Sequence, residues 1–248
     1  MANEQVFVRS RAPKAKYSLR SPLNWTFLVF LIIFAVLTFI LTLQGVNGIL
    51  SPFVVIPIIT GAAMFYRLSF NDEQQQILLA GFEGEQKALK ILSHLPNDYY
   101  LLNHLQLPNR TYATEIDLVV IGPNGVFIVE VKNYSGLLKG SIEDLQWKHI
   151  KTNRNGKRGS KRVKNPLIQV DQQISTIEAT LTHAGIFANV LGTILFVNER
   201  CQLQIRNSAT VPLFRDSKLL AFIKNAPADE KSDGPGVIAE VLWHSGNS

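Results

Sequence analysis

The chain has 248 residues, 46% of them hydrophobic and only 18% charged, with a formal net charge of +6 and a sequence pI ≈ 9.4. That length accommodates one ordinary domain with additions, and the basic balance favours polyanionic partners. A single cysteine, Cys201, excludes an intramolecular disulfide and any zinc site built on a cysteine pair, and fits a reducing compartment.

Residues 1–20 carry Arg9, Arg11, Lys14, Lys16 and Arg20 against Glu4 and read as a flexible, basic cytoplasmic tail. From Ser21 to Tyr66 there is no charged residue. Within that run Trp25–Leu43 supplies 19 uncharged, mostly large apolar residues, enough for a helix to cross about 30 Å of hydrocarbon. Gln44–Gly48 reads as a turn. Ile49–Tyr66 reads as a second span, and membrane helices tolerate interruptions such as its Pro52, Pro57 and Gly61. Residues 21–67 are therefore expected to form a transmembrane helical hairpin in the lipid bilayer, with a buried hairpin of a soluble protein as the alternative. Basic residues precede the first span, are absent from the turn and return at Arg67, so both termini are expected on the cytoplasmic side of an inner or cytoplasmic membrane. The apolar run is too long and too far from the start for a cleaved signal peptide.

Asn71-Asp72-Glu73 can cap a helix that continues to about Leu95. Glu85, Ala88, Leu89 and Leu92 share one face of it, so Glu85 is a carboxylate on the face that packs against the rest of the domain, or on its rim. Tyr99–Leu107 reads as a strand and Pro108-Asn109-Arg110 as a loop.

Glu115–Lys132, EIDLVVIGPNGVFIVEVK, reads as two strands joined at Gly122-Pro123-Asn124-Gly125. A two-residue turn at Pro123-Asn124 places Asp117 opposite Glu130, whereas a three-residue loop with a bulge at Gly125 shifts the register by one. Glu130 and Lys132 share a face in either case. Carboxylates opposed across a sheet repel, and burial makes the repulsion worse; a divalent cation between them relieves it. The alternative is a surface hairpin with its charges in water, which the apolarity of the other positions disfavours.

Gly136–Trp147 reads as a further strand and turn. Lys148–Lys164, KHIKTNRNGKRGSKRVK, contains Lys148, Lys151, Arg154, Lys157, Arg158, Lys161, Arg162 and Lys164 and no acid, and is expected to be a loop. Its charge suits a phosphate backbone, a solvated linker or a contact with anionic lipid. The glycine spacing in GKRGSK does not fit a phosphate-binding P-loop. Asn165-Pro166 opens a helix to about His183 that carries Gln169, Gln172 and Gln173, and Leu191–Val197 suits a strand buried on both faces. Val211–Phe214 is expected to be a last short strand, Ser217–Lys224 a short helix, and residues 226–248 a tail or short terminal element. The five histidines are scattered without metal-binding spacing, and no GxSxG motif marks a hydrolase nucleophile.

Taken together, GFEGEQKAL, EIDLVVIGPNGVFIVEVKNYSG, Trp147 before the basic stretch and NPLIQVDQQI resemble the nuclease-related domain, NERD, of the PD-(D/E)xK nuclease superfamily. The resemblance covers about Gly81 to Val197. It implies an α/β fold whose central mixed sheet is flanked by helices, a nuclease-like domain over residues 71–225. It also implies that Glu85, Asp117 and Glu130 hold Mg²⁺ (or Mn²⁺), and that Lys132 and Gln169 complete the catalytic set. Nucleic acid, expected to be DNA, is the implied substrate. Ile116 stands where the superfamily's proline would. The rival readings are a membrane-tethered nucleic-acid-binding module without turnover, and a structural membrane protein with a protein-interaction domain.

Overall fold

The computed structural model describes residues 7–10 (backbone only), 61, 77–108, 113–152, 156–207, 212–215, 218–228 and 230–246. The expected membrane hairpin lies outside the described residues apart from Gly61, and among the described residues no helix is long and apolar enough to cross a membrane. The chain divides into two units, residues 14–79 and residues 1–13 with 80–248. The elements below belong to the second of these, apart from the first three residues of the first helix.

It is a mixed α/β unit with two sheets. The larger runs β1 (Phe7–Ser10), β2 (Tyr100–Leu107), β3 (Thr114–Gly122), β4 (Gly125–Lys132), β8 (Val190–Phe196) and β10 (Leu213–Phe214), in that spatial order. The smaller runs β7 (Arg158–Lys164), β6 (Gln146–Thr152), β5 (Gly136–Ser141) and β9 (Cys201–Arg206). The helices are α1 over residues 77–92, α2 (Pro166–His183), α3 (Lys218–Asn225) and α4 (Pro235–Ser245).

The β3–β4 hairpin lies at the centre of the core. Leu118–Ile121 and Val126–Val129 are fully buried, each large side chain contributing about 1.5–3 kcal/mol by leaving water. One face of the sheet packs Leu118, Val120, Phe127 and Val129 against Ala88 and Leu92 of α1 and Leu219 and Ile223 of α3. The other packs Val119, Ile121, Val126 and Ile128 against Ile177 and Leu181 of α2 and Ile238 and Leu242 of α4. With both faces covered, the hairpin has no room for the usual polar alternation. Gly192 allows α2 to lie close on β8, since a Cβ there would come within 2.2 Å of Val170.

The turn is the two-residue form. Gly122 pairs with Gly125, and the register runs through Val120–Phe127 to Leu118–Val129. Gly125 takes φ +124°, a backbone region costly for residues with a Cβ. Asn124 is buried, accepting from Tyr99 Oη at 3.1 Å and donating to the Ile223 carbonyl, so the turn is tied to α3.

Three elements depart from the sequence expectation. Phe7–Ser10, within the basic tail, lies parallel to β2 as an edge strand. The basic stretch is an ordered antiparallel ribbon, β6 with β7, rather than a loop; alternation of Trp147, His149 and Val163 inward with Lys148, Arg162 and Lys164 outward is what holds it in a sheet. β9 was not foreseen: Cys201, Leu203 and Ile205 alternate with polar residues and close the third core cluster with Leu138 and Trp147.

Candidate active site

Through the β2–β3–β4 registers His104, Asp117 and Glu130 fall on one level of three adjacent strands. The ladder is interrupted there. The paired residues resume on either side, at Asn103–Leu118 and Leu105–Ile116, but neither His104 nor Asp117 is part of a ladder pair. His104 adopts φ +52°, a left-handed conformation uncommon for a residue with a Cβ. The alternation of faces reverses at this point: Leu118 belongs to the cluster with α1, whereas Ile116, two residues earlier, belongs to the cluster with α2. The Asp117 side chain fills the gap, Oδ2 accepting from the Val131 amide at 2.9 Å.

This interruption gathers acids from both sides of the sheet. Glu85 reaches from α1 and its Oε2 lies 2.8 Å from His104 Nε2, both side chains being mostly buried. Glu130 is 1% exposed. One of its oxygens accepts from Gln173 Nε2 at 2.8 Å and the other from Lys132 Nζ. Lys132 also donates to Gln169 Oε1 at 3.4 Å. Burial, then the charge of Glu130, pushes the Asp117 carboxyl up to about 7, against the opposing Val131 hydrogen bond and Lys132. Burial raises Glu85 as well, with His104 pulling the other way and Glu115 and Glu130 adding to the rise. Burial opposes the charge of Lys132, but Glu130, Asp117 and Tyr134 outweigh it and hold the ammonium above its ordinary range.

The expected residues Glu85, Asp117, Glu130, Lys132 and Gln169 are thus brought together. Two residues join them that the sequence did not single out. Gln173 is fully buried and donates both to Glu130 and to the Glu115 carbonyl at 3.0 Å, while its own Oε1 has no partner. Its signal was available: it lies one helical turn after Gln169, on the face that carries Val170 and Ile177. His104, set aside with the scattered histidines, holds Glu85; nothing in the sequence marked its backbone conformation.

The basic residues divide by strand face. Lys148, Arg158, Arg162 and Lys164 lie on the outer face of the small sheet. Lys151 and Lys161 fall on the opposite face with His149, whose ring packs against Tyr134 at 5.1 Å. Lys157 precedes β7 and is exposed, and Arg154 lies outside the described residues.

Residues 80–197 match the nuclease-related domain, NERD. The matched segment contains every site residue described above. An uncharacterized protein of Bacillus anthracis is 39% identical over 69 residues, 27% of this chain. The match spans about a third of that relative, 32% of its length. No solved structure matches.

Proposed function

We propose that this nuclease-related domain, with a PD-(D/E)xK-like core, hydrolyses nucleic-acid phosphodiesters with the help of Mg²⁺ or Mn²⁺, tethered to a membrane by residues 21–67. The observation that carries the reading is that Glu85, Asp117 and Glu130 lie near enough for burial and the charge of Glu130 together to raise the other two carboxyl groups, with Lys132 paired to Glu130, at one interruption of the sheet.

The donor set is all oxygen, the preference of a hard divalent cation, and Gln173 leaves an unpartnered carbonyl oxygen on the side chain that grips Glu130. Among the described residues no three His, Cys, Asp or Glu side chains converge closely enough to enclose an ion. Mg²⁺ needs only one or two carboxylates and fills its other positions with water and substrate oxygens. Asp117 and Glu130 would hold it, with Glu85 left to hold one of its waters, and it would supply charge neutralisation at the phosphate and a more acidic water. Lys132 would release Glu130 to donate to a phosphate oxygen or to the attacking water, steadied by Gln169. Gln173 would keep the Glu130 carboxylate oriented.

The test is calorimetric titration of the full-length protein with Mg²⁺ and Mn²⁺, alongside cleavage of mixed DNA and RNA. Absence of divalent-ion binding would sink the reading. A second reading, a nucleic-acid-binding module without turnover, draws on the closed Lys132–Glu130 ion pair; it predicts binding with no cleavage under any divalent ion.

A further inference from the structure

The outer face of the four-stranded sheet carries a pattern that the basic stretch alone does not explain. In the β5–β6 register Lys139 stands opposite Lys148, and in the β6–β7 register Lys148 stands opposite Arg162. Three cations from three adjacent strands therefore form one cross-strand row on the same face, and all three are exposed. Directly opposed like charges destabilise a sheet. Among the described residues none of the three is held in an ion pair with an acid. Arg158 and Lys164 extend the charge along β7 on that face; Gln204 of β9 continues the cationic row opposite Lys139, and Gln202 lies in the next row opposite Leu137. Arg206 shares the face but sits beside Glu143, which offsets it.

We infer that this face is a docking platform for the phosphate backbone of duplex nucleic acid, with Lys139, Lys148 and Arg162 at its centre. The inference rests on the proposal that the domain handles nucleic acid and names the form it takes. Strand geometry fixes the cations at about 4.8 Å across the sheet and about 7 Å along a strand, a rigid lattice suited to a regular array of phosphates. The rows named carry no aromatic side chain, whereas surfaces that hold single strands stack bases on aromatic rings. Backbone contact without base stacking suits a duplex. Charge complementarity names the partner, and Lys139, which lies outside the basic stretch, is the residue the sheet adds.

The test uses full-length protein in detergent, with EDTA present so that no cleavage intervenes. A DNA duplex, oligo-dT of equal length and vesicles containing phosphatidylserine serve as probes. The variant Lys139→Gln/Lys148→Gln/Arg162→Gln should bind duplex with a log K against log salt slope shallower by roughly two to three units. Its melting temperature at low salt should equal or exceed that of the wild type, because facing charges are gone. Lys151→Gln/Lys161→Gln, on the other face, should change the slope by less than one unit. Lys139→Arg/Lys148→Arg should behave as wild type. An unchanged slope in the triple variant, wild-type preference for oligo-dT, or loss confined to vesicle binding would each overturn the platform. Since binding is read without metal, a failure of cleavage leaves this result standing, and normal cleavage beside an unchanged slope sinks the platform alone.

Discussion

His104 Nε2 meets Glu85 Oε2 at 2.8 Å across the gap between β2 and α1, from a backbone conformation that a residue with a Cβ adopts at a cost of about 1–2 kcal/mol. Such a cost persists where surrounding structure imposes it, commonly at sites of chemistry. His104 acts here as a positioning residue for Glu85. His104→Asn tolerates the same φ but shortens the side chain, so the fold should hold while divalent-ion affinity falls, roughly tenfold by analogy with other partners of metal ligands. His104→Gly should lose affinity equally and melt higher. Unchanged affinity in both variants would reduce His104 to a core residue.

Asp117→Asn keeps an oxygen for the Val131 amide and removes one charge from the acidic cluster. Without metal the variant should be as stable as wild type or more so, yet show no thermal response to Mg²⁺ and no cleavage. Lys132→Met should differ, retaining the thermal response while losing turnover. Wild-type cleavage by Asp117→Asn would contradict the assignment.

The raised Asp117 carboxyl fixes the sign of a pH effect. The folded state holds the proton up to about 7, against the ordinary 3.8, so this group's stabilisation is complete below the lower value and is lost as pH rises through the upper one. Glu85, also raised, adds in the same direction. In EDTA the melting difference between Asp117→Asn and wild type should therefore be near zero at pH 4 and should widen in favour of the variant towards pH 8. A gap that narrows with pH would reverse the sign and refute the burial argument.

Gln173→Leu strips Glu130 of its amide donor inside the core. Leaving that carboxylate and the Glu115 carbonyl short of a partner should cost about 2–4 kcal/mol in urea unfolding. Gln169→Ala, whose contact with Lys132 is long and half-exposed, should cost under about 1 kcal/mol. Equal costs would mean that the two glutamines are not distinguished by burial.

Much of this site could be read from the chain because its hairpin is governed by short-range rules. Gly122-Pro123-Asn124-Gly125 admits few turns, and once the two-residue form is taken, Asp117 and Glu130 face each other without further information. Glu85 followed from helical periodicity. His104 did not, because its position depends on an interrupted ladder between strands distant in sequence. The basic stretch was misread for a related reason: its lysines and arginines obscured the alternation of Trp147, His149 and Val163, which has meaning only when β5 and the core cluster beneath it are in place. β9 likewise exists through its parallel partner β5, a pairing no local pattern announces.

The proposed membrane hairpin makes a separate prediction. Reporter fusions after Gly48 and after Arg67 should report opposite sides, the second cytoplasmic, because Arg20 and Arg67 flank the uncharged run 21–66 and basic residues are absent from the turn within it. Location of residue 67 on the outer side would separate the domain from cytoplasmic nucleic acid.

The parallel pairing of β1 with β2 joins Phe7–Ser10 to Tyr100–Asn103 as neighbours in one sheet. The chain that leaves β1 and the chain that returns through α1 to β2 therefore start and end at one sheet, and both ends occupy the same compartment. However many times the intervening chain traverses a bilayer, the number must be even. A single crossing, or three, would pull the edge strand out of the sheet and leave the open side of β2 free to pair with another chain.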